Sequence, residues 1–129
     1  MNKICTTIEQ SKKLIELGLS PKTADFAYLD GNENGLFILT DKYKQSDYLK
    51  NDIPAWSTSA LINLLPIEIE GFNFKKDGEY WNLSILEYFS YGDVYFKVKY
   101  GRGEIEFEEH KLIDALIDMI CWLKENRKI

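Results

Sequence analysis

Ile53-Pro54-Ala55-Trp56-Ser57-Thr58-Ser59-Ala60-Leu61-Ile62-Asn63-Leu64-Leu65-Pro66 is the run whose reading decides how this chain folds. Pro54 forbids helix before it, Ser57 is placed to accept a hydrogen bond from the open N–H groups of a following helix, and Pro66 ends that helix. Trp56, Ala60, Leu61, Leu64 and Leu65 fall on one helical stripe. The spacing predicts a short helix pressed into a core, with no side chain in it that carries chemistry.

Before this run, Thr6-Thr7-Ile8-Glu9 fits a capping box with Thr6 as the cap and Glu9 three residues on. Ile8, Leu14 and Ile15 give that first helix its apolar side, and Gly18 suits its C-terminal cap. Ser20-Pro21 predicts a second short helical turn through about Asp25. Phe26 to Leu29 and Leu36 to Thr40 read as strands around Asp30-Gly31-Asn32-Glu33-Asn34-Gly35, residues that tolerate positive φ. Asp41 to Asp52 is polar, carries Tyr43 and Tyr48, and reads as irregular.

After the run, Phe72 and Phe74 alternate with polar residues, Asp77-Gly78 turns the chain, and Trp81, Leu83 and Ile85 alternate in their turn. That register pairs Phe74 with Trp81 and Phe72 with Leu83, and needs a β-bulge at Gly71 to set Ile69 opposite Ile85. A two-residue turn at Gly101-Arg102 places Lys99 opposite Glu104, Val98 opposite Ile105, Lys97 opposite Glu106 and Phe96 opposite Phe107. Two opposite-charge pairs then share one face and two apolar pairs the other. A closing helix spans about Glu109 to Asn126, its buried stripe made of Leu112, Ile113, Leu116, Met119, Ile120 and Leu123. The expectation is one α+β domain over residues 1–129. An antiparallel sheet of four or five strands has the N-terminal, Trp56 and C-terminal helices on one face.

The 129 residues, 45% hydrophobic and 29% charged, suit a globular chain able to bury a core. The net charge of −5 is uneven. Residues 1–66 hold seven Lys or Arg against eight Asp or Glu, and residues 67–129 hold nine against thirteen. Basic pairs such as Lys12-Lys13 and Lys75-Lys76 are isolated, so the composition argues against a phosphate-binding surface and hence against nucleic acid. The N-terminus lacks the apolar core of a signal peptide and no window approaches a membrane span, which reads as a cytoplasmic chain without a membrane partner. Cys5 and Cys121, near opposite ends, form no disulfide framework.

Asp30, Asn32, Asn34 and Asp41 match the oxygen-ligand spacing of a calcium loop, with Gly35 at the sharp turn. Asp stands where a bidentate Glu is expected, and a hairpin loop explains the same residues by turn chemistry alone. His110, the single histidine, falls in the first turn of the last helix as a solvated residue, and it lacks neighbours for a zinc site. Glu87 shares the parity of Trp81, Leu83 and Ile85, so an unbroken strand would direct a carboxylate into the core. A strand break near Leu86 is expected instead. No Gly-rich phosphate loop, nucleophile elbow or paired metal ligands is present, and no catalytic residue, cofactor or metal is assigned.

Cys5-Thr6-Thr7-Ile8-Glu9-Gln10-Ser11-Lys12-Lys13-Leu14, Leu17-Gly18-Leu19-Ser20-Pro21, and Pro54-Ala55-Trp56-Ser57 with Leu61, Leu64, Leu65 and Pro66 resemble a family of small uncharacterised proteins. These are abundant in gut anaerobes and often encoded in prophages and other mobile elements. The likeness is good in the first half and loose in the second, ending in a similar helix at Asp114-Ala115-Leu116-Ile117-Asp118-Met119-Ile120. It implies no activity and no catalytic residue.

The functional expectation is a non-enzymatic cytoplasmic accessory protein of a mobile element that binds a protein partner or its own copy. Tyr95, Glu104, Glu106 and Glu108 are its candidate contact residues, because the acidic second half suits a basic partner surface. The alternative is a small-molecule or calcium-binding domain, or a small enzyme, using the Asp30–Asp41 loop or a cleft beside the sheet.

Overall fold

The computed structural model describes residues 4–38, 51–70 and 80–129. The expected strand at Phe72–Phe74, the Gly71 bulge, the Asp77-Gly78 turn, the Lys75-Lys76 pair, Tyr43, Tyr48 and Asp41 lie outside them. The fold is α+β, and the chain divides into two compact units, Met1–Leu64 and Leu65–Ile129. The described strands form two antiparallel sheets, of three and four strands, where the sequence suggested one. No helix among the described residues is long and apolar enough to cross a membrane.

In the first unit, helix α1 (Ile8–Glu16) starts one residue later than its sequence suggests. Thr7 is the cap: its hydroxyl accepts the Gln10 N–H at 3.1 Å, and the Gln10 side chain takes the Thr7 N–H at 3.0 Å. Thr6 is diverted to a tertiary task. It is fully buried, its Oγ1 accepts the Trp56 N–H at 3.1 Å and lies 2.8 Å from Ser11 Oγ, and its carbonyl accepts the Tyr28 hydroxyl at 2.7 Å. Gly18, at φ 95°, ends α1 as expected, and a 3₁₀ turn follows at Pro21–Thr23.

Strands β1 (Phe26–Tyr28) and β2 (Leu36–Ile38) pair antiparallel around the Asn-rich loop, as read from sequence. The third strand, β3 (Ile53–Ala55), was not expected. It lies at the sheet's edge, in the order β2-β1-β3, which is where a strand tolerates Pro54. Cys5, Tyr28 and Ala55 form a buried cluster with Ile8, Phe26, Leu36 and Ile53 packed on it.

Helix α2 (Thr58–Leu64) begins after Trp56, so Trp56 packs from the connecting residues and not from the helix itself. Trp56 is fully buried and its indole N–H donates to Thr23 Oγ1 at 2.8 Å. Ser57 caps α2 as expected, accepting the Ala60 N–H at 3.1 Å, while its own N–H donates to the Asp25 carboxylate at 2.8 Å.

The second unit is a meander, β4 (Glu68–Glu70), β5 (Tyr80–Ser90), β6 (Asp93–Tyr100) and β7 (Ile105–Glu109), with α3 (Leu112–Glu125) packed on β6 and β7. Ile69 faces Trp81 and not Ile85. Helix α3 starts three residues later than expected because Glu109 remains in the ladder opposite Phe96. Its buried positions add Ala115, Ile117 and Cys121 to the expected stripe, of which Leu112 is only half-buried, so it is enclosed over most of its circumference.

The β6–β7 register differs from the sequence reading by two residues. Tyr100 faces Ile105, Lys99 faces Glu106, Val98 faces Phe107, and Lys97 faces Glu108. A slip of two keeps every side chain on its face, so the expected separation of charged and apolar residues survives. The turn is four residues long. Gly101 and Gly103 sit at φ 71° and 119°, and the Glu104 carboxylate folds back to accept the Arg102 N–H at 2.6 Å. β5 does not break near Leu86. Its ladder to β6 runs on to Ser90–Asp93, and Glu87 is exposed despite its parity.

Two phenols define an alkaline limit. Tyr28 is raised well above its ordinary value of 10.0 by burial first and then by its contact with the Cys5 thiol, and Tyr100 by burial. A raised folded pKa means the unfolded chain gives up these protons first, so their stabilising contribution is complete below pH 10.0 and declines as pH rises past it. Urea midpoints stepped through alkaline pH are expected to fall from there, with the last phenolate absorbance appearing together with unfolding. Complete titration of all eight tyrosines in a still-folded protein would contradict this.

Candidate functional site

The second unit's meander sets its own geometry. Tyr91 and Gly92 both have positive φ, 52° and 82°, and make the two-residue turn that joins β5 to β6. In such a hairpin the flanking pair, Ser90–Asp93, is hydrogen-bonded, and bonded pairs then recur at every second residue. The odd-numbered residues of β6 therefore bond β5, and its even-numbered residues turn their backbone groups toward β7. Two contacts outside the ladder agree. The Val94 carbonyl meets His110 Nδ1 at 3.1 Å on the β7 side, and the Leu83 N–H donates to the Ile67 carbonyl at 2.8 Å on the β4 side.

Side chains of one parity face inward, where Val98 and Tyr100 are fully buried. Those of the other parity form an outer face. Tyr88 and Tyr95 sit directly opposite each other and stack at 5.6 Å between centroids. The His110 ring lies 4.5 Å from that of Tyr95. Lys97 Nζ is 5.3 Å above the Tyr88 ring and 3.5 Å from Glu106 Oε1, while the Tyr88 hydroxyl donates to Glu108. Lys97 thus bonds diagonally to Glu106 although Glu108 is its direct partner across the strands. Each contact is weak alone, about 0.5–1 kcal/mol for a partly exposed cation–π pair and less for an exposed ion pair, but together they hold one arrangement of mixed charge and aromatic surface. At the hairpin tip Phe89 and Tyr91 are exposed, and Leu86 is half-exposed nearby.

The residues expected to contact a partner separate accordingly. Tyr95, Glu106 and Glu108 are brought together on the outer face. Glu104 lies in the β6–β7 turn, where its own N–H first and then that of Arg102 hold its carboxyl below the usual range. A side chain at Gly101 would collide with that carboxylate and with Trp81. Tyr88 and His110 were not singled out as site residues. Tyr88 becomes visible only once β5 is taken as unbroken, and His110 lies before α3, not in its first turn.

In the first unit, the Asp30–Asn34 loop and the recess beside α2 were the other candidates. Asn32 Oδ1 accepts the Asn34 N–H at 2.9 Å, and the Asp30 N–H donates to Asp52 at 2.9 Å, within a loop of two short 3₁₀ turns. A shallow recess lined by Thr23, Asp25, Ser59, Ala60, Asn63 and Leu64 contains one carboxylate, Asp25, which is engaged by both the N–H and the hydroxyl of Ser57. Both cysteines are buried, and neither forms a disulfide. Comparison with protein-family models, curated proteins and solved structures found no match for the chain.

Proposed function

We propose that this protein is a non-catalytic binding module that engages a basic protein partner through the outer face of its four-stranded sheet. The observation that carries the reading is the assembled surface of Tyr88, Tyr95, Lys97, Glu106, Glu108 and His110, continuous in sequence with the exposed aromatics of the Tyr91-Gly92 tip. Aromatic residues with a polar edge are the side chains most enriched where proteins meet, and complementary charge steers the encounter. Acid–base or nucleophilic chemistry needs titratable groups converging in a pocket, whereas the ionisable groups of this face spread over an open sheet. The proposal places the module in the cytoplasm, as an accessory of a mobile element, in keeping with the sequence resemblance.

The test is partner capture from the source organism with the double reversal Glu106→Lys and Glu108→Lys. The identified partner is expected to bind the variant at least about tenfold more weakly, an effect of roughly 1.4 kcal/mol. The variant's circular dichroism spectrum is expected to stay unchanged. Equal binding by the folded variant would contradict the proposal.

A further inference from the structure

The ladder that builds the outer face also fixes what the edge of the sheet offers. Among the described residues the order is β4-β5-β6-β7, so β7 is a terminal strand. Phe96, Val98 and Tyr100 aim their backbone groups at β7 and face Glu109, Phe107 and Ile105. Those three β7 residues therefore spend their N–H and C=O groups on β6. Glu106 and Glu108, at the alternate positions, direct theirs away from the sheet. The same two residues carry the exposed carboxylates. Backbone donors and acceptors thus recur along one edge, each with an acid beside it.

We infer that β7 receives an extended segment of a partner as an added strand, and that this segment carries lysine or arginine at alternate positions. The inference rests on the binding reading above and specifies its mode. Strand addition draws affinity from main-chain bonds and specificity from side chains at every second residue. Cross-strand neighbours lie about 4.5–5.5 Å apart, so residues of the added strand opposite Glu106 and Glu108 meet those carboxylates directly. A second copy of β7 in the same place would bring like charges together, which is how edge strands commonly repel their own kind. β4, the other terminal strand, turns Glu68 and Glu70 outward in the same way, but it spans three residues against the five of β7. The stretch of β5 beyond Leu83, unpaired on that side among the described residues, offers Ile85, Glu87 and Phe89, with a single acid between apolar side chains, so the longer run with an acid at each outward position selects β7.

A capped hexapeptide of alternating lysine and valine is the probe. At saturation it is expected to slow amide exchange at Glu106 and Glu108 at least about tenfold, as newly bonded amides are protected. It should leave Phe107 unchanged, since that amide is already bonded to β6. Methylating the peptide's alternate backbone nitrogens on its bonding edge is expected to abolish the effect, and alternating glutamate and valine to give none. In the protein, Glu108→Pro removes one outward N–H while the β6 bonds come from other residues, and should weaken peptide binding with the ladder intact.

Unchanged exchange at Glu106 and Glu108 in the wild-type protein at millimolar peptide would overturn strand addition, and so would equal binding of the methylated peptide. The broader reading fails separately, when the double charge reversal leaves capture of the native partner intact.

Discussion

Replacing Trp56 with alanine is expected to remove about 3–5 kcal/mol of folding stability, the range for deleting a large side chain from a close-packed core. Trp56 has no solvent exposure, and its indole N–H is bonded to Thr23. The substitution opens a cavity in the first unit and leaves the Thr23 hydroxyl without that donor. Since a domain of this size has about 5–15 kcal/mol in total, the variant should sit near the edge of folding at ordinary temperature. Trp56→Phe keeps most of the volume and should lose much less. Urea midpoints measure both. A cost below about 1 kcal/mol for the alanine would show that Trp56 is not core.

Thr6→Val is expected to cost about 2–4 kcal/mol although it preserves shape, because it strands buried hydrogen-bonding groups. The Thr6 hydroxyl is the acceptor for the Trp56 N–H and the neighbour of the Ser11 hydroxyl, and both Thr6 and Ser11 are fully buried. The valine leaves that N–H with nothing in place of the hydroxyl. Ser11→Ala in the same background should then cost less than it does alone, since its partner is already gone. Strict additivity in the double-mutant cycle would show that the two hydroxyls do not act together.

Much of the fold was legible where one residue has one use. Ser57 as the α2 cap, Gly18 as the α1 terminator and Pro54 as a bar to helix follow from backbone chemistry alone, and the structure bears each out. Thr6 and Thr7 show where local rules run out. Both stand three residues before a side chain able to close a capping box, and the choice between them is made with Trp56, fifty residues away and outside any sequence window. The β6–β7 faces were readable because side-chain alternation survives a two-residue slip. The turn length was not, because it depends on two positive-φ glycines and a carboxylate folded onto the chain.

The candidate site divides in the same way. Tyr95, Glu106 and Glu108 could be placed on one face by parity. Tyr88 could not, because the buried-carboxylate argument at Glu87 favoured ending the strand; the ladder continues and Glu87 stays in water. His110 joins Tyr95 because β7 runs to Glu109 and α3 starts at Leu112, boundaries fixed by pairing with Phe96 and not by helix propensity.

Amide hydrogen exchange of the whole protein, alone and with its captured partner, tests the central claim most directly. The account predicts new protection at the outward-facing amides of β7, centred on Glu106 and Glu108 and extending to His110. Protection confined to the first unit, at the Asp30–Asn34 loop or around Asp25 and Asn63, would contradict it.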